Sequence, residues 1–307
     1  MKDFIAIGDF TGEQLRGLLQ RAVADKKLFR AGKLPASCQR KVLALIFEKP
    51  SLRTRVSFEA GMAQLGGAAI YLTEADIGLG TREPVNDVAR VVGRMCDAIV
   101  ARTFSHETVR ELAEFSAAPV INALTDYSHP CQAMADAMTA MEIFGDLAGM
   151  KVAFIGDGNN VARSLAMLCA KLGADFVLAC PEGYELEREF VAGLPPAGPG
   201  SYALSRQPRE AVRDAKIVYT DTWISMGQEA EKEKRVAAFK GFQVDENLMA
   251  AAPADAVVMH CLPAYRGYEI SEAVMEAHGE TIFAQAENRL HFQRTLLNVL
   301  IAEGGIR

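Results

Sequence analysis

The chain has 307 residues, of which 50% are hydrophobic and 23% charged, and its formal net charge is −6. Single cores rarely grow beyond about 250 residues, so we expect two domains of similar size. No apolar run approaches the roughly 18 residues of a membrane span, and an acidic chain lacks the basic face that nucleic-acid binding requires. Because residues 1–10 show no secretory or transit signal, we expect a soluble, cytoplasmic protein without membrane or nucleic-acid partners.

The cysteines do not indicate a structural zinc site or a disulfide framework. Their spacing shows no paired C-x-x-C motif, and their density is too low for a secreted disulfide scaffold. We expect no metal, and we expect most of them to be buried thiols; the six are Cys38, Cys96, Cys131, Cys169, Cys180 and Cys261.

The first half of the sequence alternates between strand-like and helical patterns. Strands are predicted at 41–47, 68–72, 97–101 and 118–122, and helices near 11–31, 54–65, 85–95 and 105–116. Such alternation is typical of a parallel sheet covered by helices.

The second half repeats this alternation. Strands are predicted at 151–156, 175–179, 216–219 and 256–259, with a Pro- and Gly-rich surface loop at 194–200. Helical patterns near 131–144 and 287–303 can connect the halves. We therefore predict an α/β fold in which two doubly wound parallel-sheet domains, 1–135 and 136–287, are joined by helices. A C-terminal helix at about 288–307 returns to the first domain.

The stretch 48–59 combines hydroxyls and guanidiniums where the first strand becomes a helix. Ser51 to Thr54 fall at the helix N-terminus, where unpaired N–H groups and the helix dipole favour a phosphate. Arg53 adds a planar group that can hold a phosphate with two hydrogen bonds. In the simpler alternative, Ser51 only caps the helix, and Arg53 and Arg55 pair with Glu48 and Glu59 on its surface.

Polar residues also follow later strands. Arg102 follows the third strand, His129 and Gln132 follow the fourth, and the segment 260–263 follows the last. A single such residue is more often structural than functional. Because ligands of open α/β sheets lie beyond the carboxyl ends of the strands, their recurrence there indicates a site for one small ligand.

Two segments of the second half allow more than one interpretation. The turn 156–161 resembles a dinucleotide fingerprint but has Val161 where the third glycine is required, and a tight turn presenting Asn160 fits it equally well. The segment 221–229 places Asp221 beside small polar residues and the single tryptophan, Trp223. It suits a ligand with an amino group, or simply a turn with a packed Trp.

Four motifs in this order resemble the aspartate/ornithine carbamoyltransferase family: S-L-R-T-R at 51–55, H-P-C-Q at 129–132, D-x-x-x-S-M-G at 221–227 and H-C-L-P at 260–263. The first is shared across the family, whereas S-M-G and H-C-L-P are specific to the ornithine branch. The resemblance spans nearly the whole chain. It implies a carbamoyl-phosphate domain, an ornithine domain and transfer of the carbamoyl group to L-ornithine, giving citrulline and phosphate. It also implies no cofactor, and a homotrimer or a multiple of one.

The resemblance further implies two sets of ligand-binding residues and a cis Leu262–Pro263 bond. Carbamoyl phosphate would be bound by Ser51, Leu52, Arg53, Thr54, Arg102, His129, Gln132, Cys261, Leu262 and Arg289. Ornithine would be bound by Asn160, Asp221, Ser225 and Met226.

The implied reaction needs groups in several catalytic roles. The δ-amine of ornithine attacks the carbonyl carbon, and the resulting oxyanion needs hydrogen-bond donors, for which Arg102, His129 and Thr54 are candidates. Cys261 and Asp221 are alternative candidates for orienting the amine or taking its proton, and the sequence does not choose between them.

The chain departs from many relatives at several positions beside the implied site. Leu52, Arg163 and Tyr265 replace Thr, Asn and His. Gly78 replaces a Gln that reaches a neighbouring subunit's carbamoyl phosphate, so a cross-subunit contact would require Arg82 to take its place.

Three rival functions are compatible with parts of the sequence: a carbamoyltransferase for putrescine or an N-acylornithine, an NAD-binding dehydrogenase, and a catalytically silent paralogue. The intact D-x-x-x-S-M-G motif favours free ornithine. The incomplete fingerprint disfavours NAD, and the retained polar residues disfavour a silent protein.

Overall fold

Two α/β units make up the chain in the computed structural model, which describes residues 1–195, 200–225 and 227–306. Unit 1 comprises Met1–Met138 and Glu287–Arg307, and unit 2 comprises Thr139–Ala286. Residues 196–199 of the predicted loop and the predicted ligand-binding residue Met226 lie outside the described residues. Within the described part of the chain, no helix combines the length and the apolar character that crossing a bilayer demands.

Unit 1 contains a four-stranded parallel sheet in the order β2-β1-β3-β4. Its strands are β1 (Val42–Phe47), β2 (Ala68–Thr73), β3 (Ala98–Arg102) and β4 (Val120–Leu124). The two central strands, β1 and β3, are almost completely buried, as expected from sequences that are apolar except for Arg102 at the end of β3. All four predicted strands of this half are confirmed.

The helices of unit 1 cover this sheet. They are α1 (Gly12–Arg30), α2 (Leu52–Gln64), α3 (Glu74–Ile77), α4 (Val85–Met95), α5 (His106–Phe115) and α6 (Pro130–Phe144), of which α6 continues into unit 2. Apolar side chains of β1 and β3 pack against α4 and α5 to form one core, which includes Ile46, Ile99, Val88, Val109 and Leu112. The single-turn helix α3 was not predicted.

Unit 2 contains a five-stranded parallel sheet in the order β7-β6-β5-β8-β9. Its strands are β5 (Lys151–Ile155), β6 (Asp175–Ala179), β7 (Tyr202–Ser205), β8 (Ile217–Thr220) and β9 (Val257–His260). The edge strand β7 was missed because it is short and half-exposed.

The helices of unit 2 are shorter, apart from the first and the last. They are α7 (Asn160–Leu172), α8 (Arg188–Ala192), α9 (Pro208–Val212), α10 (Lys232–Ala238), α11 (Glu246–Met249), α12 (Glu272–Ala277) and α13 (Gly279–Leu297). The last helix belongs to unit 1 from Glu287 onward, which confirms the predicted return of the C-terminal helix.

Both sheets have a topological switch point, where successive connections leave in opposite directions. In unit 1 it lies between β1 and β3, whose last residues Phe47 and Arg102 are paired. In unit 2 it lies between β5 and β8, where Ile155 pairs with Thr220. Ligands of doubly wound folds bind beyond the carboxyl ends of the strands at such points, so each unit has one expected ligand position.

Candidate active site

The helix that follows β1 presents the predicted anion-binding turn. Ser51 is the N-cap of α2 and accepts a hydrogen bond from the Thr54 N–H at 3.3 Å. Thr54 is fully buried, and its hydroxyl oxygen accepts a hydrogen bond from Arg289 at 2.7 Å. The side chain of Leu52 is 74% exposed, so its backbone N–H is the group that it can offer at the helix N-terminus.

The simpler alternative for this turn holds only in part. Ser51 does cap the helix, and Arg55 does pair with Glu59, at 2.9 Å. Glu48, however, accepts a hydrogen bond from the backbone N–H of residue 104 at 2.6 Å, and no ion pair of Arg53 is found among the described residues. Arg53 is therefore available to a ligand.

His129 lies near several cationic side chains of unit 1. It is buried and immediately precedes α6. Four cationic side chains act on it: Arg289, Arg102, Arg53 and Lys49. Burial, and then these positive charges, hold the pKa of the imidazole well below its ordinary value. His129 is therefore neutral at pH 7 and can donate an N–H to a carbonyl oxygen, while the surrounding cations favour a phosphate.

Lys49 is a member of this cluster that the sequence interpretation did not select. It is buried, and its ammonium lies 4.2 Å from the centre of the Phe104 ring. Burial, and then the neighbouring Arg102, lower the pKa of Lys49. A lysine directly after a buried strand and before the anion-binding turn was the available sequence signal.

Gln132 has an unused hydrogen-bonding atom in the buried part of α6. Its side-chain nitrogen donates to Asp136 at 2.8 Å, which fixes the orientation of the amide. Its Oε1 is buried and has no hydrogen-bond partner among the described residues. Because buried polar atoms are nearly always paired, this acceptor fits a ligand that carries an N–H group.

Asp221 is the centre of the polar network in unit 2. It follows β8 at the switch point and is buried. Its Oδ1 accepts from the Cys261 thiol at 2.8 Å and from the Thr222 N–H at 2.8 Å, and its Oδ2 accepts from Asn159 at 2.8 Å. The structure thus brings together the two predicted candidates for handling the amine, Asp221 and Cys261.

The neighbouring residue Asn159 was missed in favour of Asn160. Asn159 is the N-cap of α7, and its side-chain oxygen accepts from the N–H groups of residues 161 and 162 while its nitrogen donates to Asp221. Asn160 is the first residue of α7 and is half-buried. The D-G-N-N sequence gave no means of deciding which asparagine faces Asp221.

Gly158 in this turn allows the backbone of the chain itself to pack closely. A Cβ on Gly158 would lie 2.6 Å from the backbone carbon of Glu185, and the Gly158 N–H donates to Tyr184 at 2.8 Å. The space that a pyrophosphate occupies in a dinucleotide site is therefore filled here by backbone. This contact disfavours the NAD alternative.

The segment after Asp221 has the packed tryptophan of the structural alternative. Trp223 is buried, and its ring stacks on Phe239 with centroids 5.5 Å apart. Its carbonyl accepts from Arg235, which also pairs with Asp157 at 2.8 Å. Ser225 is half-buried, and its N–H donates to the side chain of Gln228 at 3.0 Å.

The segment after β9 has an unusual backbone. Leu262 lies in the left-handed region, with φ of 56°, and the Leu262–Pro263 bond is cis, as the resemblance implied. The Leu262 N–H donates to Nδ1 of His260 at 2.9 Å. Cys261, between these two residues, is half-buried, and no disulfide is found among the described residues.

Asp221, His260 and Cys261 lie close enough together to raise the question of a metal. Each offers one ligand atom, and these atoms lie within 4.8 Å of one another. Both ring nitrogens of His260 are already hydrogen-bonded, to the Leu262 N–H and to Glu269. One thiol and one carboxylate remain, fewer than the protein ligands that a zinc site uses. The group does not fit zinc in this arrangement, and metal-free chemistry stays a prediction.

Local structure accounts for two of the departures from many relatives. Gly78 ends α3 with φ of 62°, and a Cβ there would lie 2.7 Å from the Arg82 Cβ, so a Gln does not fit this backbone. The Arg82 guanidinium donates to the Asp76 carbonyl at 2.7 Å. Arg163 is buried and forms an ion pair with Glu187.

Comparisons with known proteins agree with this geometry. A model of the carbamoyl-P binding domain of aspartate/ornithine carbamoyltransferases matches residues 2–142, and a model of the Asp/Orn binding domain of the same family matches residues 148–300. The chloroplastic ornithine carbamoyltransferase of Pisum sativum is 49% identical over 298 residues, covering 97% of this chain and 80% of that protein.

Solved structures give the same result. The ornithine carbamoyltransferase of Pyrococcus furiosus has a TM-score of 0.92 and 45% identity, covering 99% of this chain and 97% of that one. The anabolic ornithine carbamoyltransferase of Campylobacter jejuni also has a TM-score of 0.92, with 42% identity over 98% of this chain and 99% of that one. The chain therefore belongs to the aspartate/ornithine carbamoyltransferase family.

Proposed function

We propose that the chain is an ornithine carbamoyltransferase, which transfers the carbamoyl group of carbamoyl phosphate to the δ-amine of L-ornithine and releases L-citrulline and phosphate. The observation that carries this proposal is the neutral, buried His129 surrounded by four cations. The cations favour a dianionic phosphate, and the neutral imidazole can donate its N–H to the carbamoyl carbonyl oxygen. Relatives with 45–49% identity over nearly the whole chain have the same name.

Unit 1 would bind carbamoyl phosphate. The N–H groups and hydroxyls of 51–54, together with the Arg53 and Arg289 guanidiniums, would hold the phosphate. Arg102 and His129 would donate to the carbonyl oxygen. The unused Oε1 of Gln132 would accept from the carbamoyl NH2, and this contact would distinguish carbamoyl phosphate from acetyl phosphate, which has a methyl group there.

Unit 2 would bind ornithine. Asp221 offers a buried carboxylate for an ammonium, and Asn160, Ser225 and Met226 are the further predicted contacts. The Cys261 S–H donates to Asp221, so the thiol carries its proton in this state and is not ready to accept another. Of the two candidates, Asp221 is therefore better suited to receive the proton of the amine.

The chemistry sets two requirements. Attack of the neutral amine on the carbonyl carbon forms a C–N bond and a tetrahedral oxyanion, which collapses by breaking the C–O bond to phosphate, while the proton that the new C–N nitrogen must lose goes to the leaving phosphate. Each donor aimed at the oxyanion lowers the barrier by about 3–4 kcal/mol. The amine must also lose a proton, which at pH 7 costs about 4.6 kcal/mol for a lysine-like pKa of about 10.4.

We also propose a role in arginine metabolism, a cytoplasmic location and assembly as a homotrimer or a multiple of one. The resemblance supports these statements. Assembly is further supported by the edge strand β2, on which Ile70 is exposed, because unpaired apolar edges are common at interfaces between chains.

The substrate assignment is tested by comparing amines. The purified protein is incubated with carbamoyl phosphate and ornithine, putrescine, N-acetylornithine, lysine or aspartate, and ureido products are quantified. We expect strong preference for ornithine. Preference for putrescine or N-acetylornithine would leave the phosphate site intact and overturn the assignment of Asp221, Ser225 and Met226.

A further inference from the structure

A buried histidine and glutamate hold the segment that carries Cys261. His260 and Glu269 are 1% and 0% exposed. The His260 Nε2 lies 3.1 Å from Glu269 Oε1, which also accepts the Tyr265 N–H at 2.6 Å. Neither His260 nor Glu269 belongs to the ligand-binding sets assigned above, and burying a carboxylate is costly unless it is well paired. The pair is therefore expected to have a specific role.

The hydrogen bonds of His260 define its tautomer. Because the Leu262 backbone N–H can only donate, the Nδ1 atom that it reaches at 2.9 Å carries no proton. The proton is then on Nε2, which donates it to Glu269. The glutamate therefore keeps Nδ1 free to accept, in the same way that carboxylates orient histidines in catalytic and metal sites.

The accepting nitrogen stabilises a strained turn. Leu262 adopts φ of 56°, a left-handed conformation that is unfavourable for a residue with a Cβ. The hydrogen bond from its N–H to His260 closes this turn around Cys261. The Cys261 thiol is thereby held 2.8 Å from Asp221.

A second contact fixes the start of the segment. The backbone N–H of His260 donates to the buried Gln285 side chain at 2.9 Å, and Gln285 in turn donates to the hydroxyl of Tyr219 on β8 at 3.1 Å. The backbone of His260 is thus anchored independently of its ring. The ring separately fixes the backbone conformation of residues 261 and 262 through its hydrogen bond with the Leu262 N–H.

We propose that His260 is a positioning residue for carbamoyl transfer, and that Glu269 selects its Nε2–H tautomer so that Nδ1 can hold the Leu262 N–H. In this arrangement the His260 ring does not touch the substrates. It acts through the backbone of Leu262 and through the Cys261 thiol. The catalytic consequence rests on the proposed function, whereas the placement of the thiol does not.

Two substitutions separate the two ring nitrogens. In His260→Asn the amide oxygen takes the place of Nδ1 and can accept the Leu262 N–H, but the donor to Glu269 is lost. In His260→Gln the amide nitrogen takes the place of Nε2 and keeps the bond to Glu269, but the acceptor for Leu262 is lost. Unfolding temperature, kcat and the KM for each substrate are measured for both variants.

The proposal predicts that stability and activity change in opposite order. His260→Asn leaves a buried carboxylate short of a donor and should lower the unfolding temperature more, yet it should keep most of kcat. His260→Gln should be the more stable variant and lose about 100-fold in kcat, the effect of roughly 1 Å of misplacement. Activity losses that follow the loss of stability in both variants would mean a purely structural role and would overturn the proposal.

Alkylation of Cys261 gives a readout that does not depend on the reaction. In a Cys96→Ser background, which removes the other half-buried thiol, iodoacetamide should label Cys261 faster in His260→Gln than in His260→Asn or the parent. Equal rates in all three proteins would contradict the positioning role. Altered alkylation without carbamoyl transfer to any amine in the parent would instead keep the positioning role and refute the proposed function.

Glu269→Gln is the variant to use if the histidine variants do not fold. Its amide oxygen can still accept from His260 and from the Tyr265 N–H, so kcat should remain near that of the parent. A loss as large as that expected for His260→Gln would show that the charge of Glu269, and not the tautomer of His260, supports activity. That result would overturn the proposal.

Discussion

The Thr54 hydroxyl joins two parts of the proposed carbamoyl-phosphate site. Its oxygen accepts a hydrogen bond from the buried Arg289 at 2.7 Å, which leaves its own hydrogen free to donate to a bound ligand. Thr54→Val replaces the hydroxyl by a methyl group of similar size in a fully buried position. Thr54→Ser is the matched control, because it keeps the hydroxyl and removes the methyl.

The size of the effect follows from the two bonds that Val cannot make. A donor to a charged ligand contributes about 1.5–3 kcal/mol, and the hydrogen bond that the Arg289 guanidinium donates to the Thr54 oxygen, which has a charged donor, contributes a similar amount. The two bonds share one oxygen, so the losses are not fully additive. We expect a combined loss of about 3–4 kcal/mol in transition-state stabilisation, or 100- to 1,000-fold in kcat/KM for carbamoyl phosphate.

The assay is initial-rate citrulline formation at saturating ornithine with varied carbamoyl phosphate, accompanied by thermal unfolding of each variant. The kcat/KM of Thr54→Ser should stay within about tenfold of that of the parent, because this variant loses only the packing of one methyl group. All three proteins should unfold cooperatively. If folded Thr54→Val had the kcat/KM of Thr54→Ser, the hydroxyl would have no part in the site, and this assignment would fail.

Three further predictions concern other parts of the molecule. Binding of ornithine and of norvaline, which lacks the δ-amine, is measured by Trp223 fluorescence. If Asp221 holds the α-amino group, Asp221→Asn should weaken binding of both ligands. Weaker binding of ornithine alone would assign Asp221 to the δ-amine, and unchanged binding of both would remove Asp221 from the site. Gly78→Gln should lower the free energy of unfolding by about 1–2 kcal/mol of backbone strain, and further through the clash with Arg82, and so lower the unfolding temperature without tightening carbamoyl-phosphate binding. A variant that is as stable as the parent and binds carbamoyl phosphate more tightly would refute the prediction. Burial lowers the pKa of His129 and His291, so below pH ~6.5 the unfolded chain binds protons that the folded chain does not. In urea titrations the free energy of unfolding should therefore decrease, as the pH is lowered below ~6.5, by up to about 1.4 kcal/mol per pH unit for each of the two histidines. Neither histidine should cause such a decrease above pH ~6.5.

The sequence predicted the central strands well because their apolar runs are long and bounded by polar turns. It did not predict β7, whose four residues follow a Pro- and Gly-rich segment and are half-exposed at the sheet edge. An edge strand of this length has too little hydrophobic periodicity to be recognised. It becomes evident only through its pairing with β6.

The candidate site shows a similar division. Residues that motifs identify, such as Thr54 and Asp221, lie at the switch points of their sheets. The side chain that reaches Asp221 is Asn159, and the distinction from Asn160 depends on where α7 begins. Lys49 contributes to the charge around His129, and its position between a buried strand and the anion-binding turn is a sequence signal that the motifs do not include.

The most direct test of the proposed function is the stoichiometry of the reaction catalysed by the purified protein in the presence of EDTA. With carbamoyl phosphate and L-ornithine, we predict citrulline and inorganic phosphate in a 1:1 ratio, at a rate that increases from about pH 6 to about pH 8.5 as the amine loses its proton. Phosphate release without citrulline, or no turnover of either substrate, would contradict the proposed function.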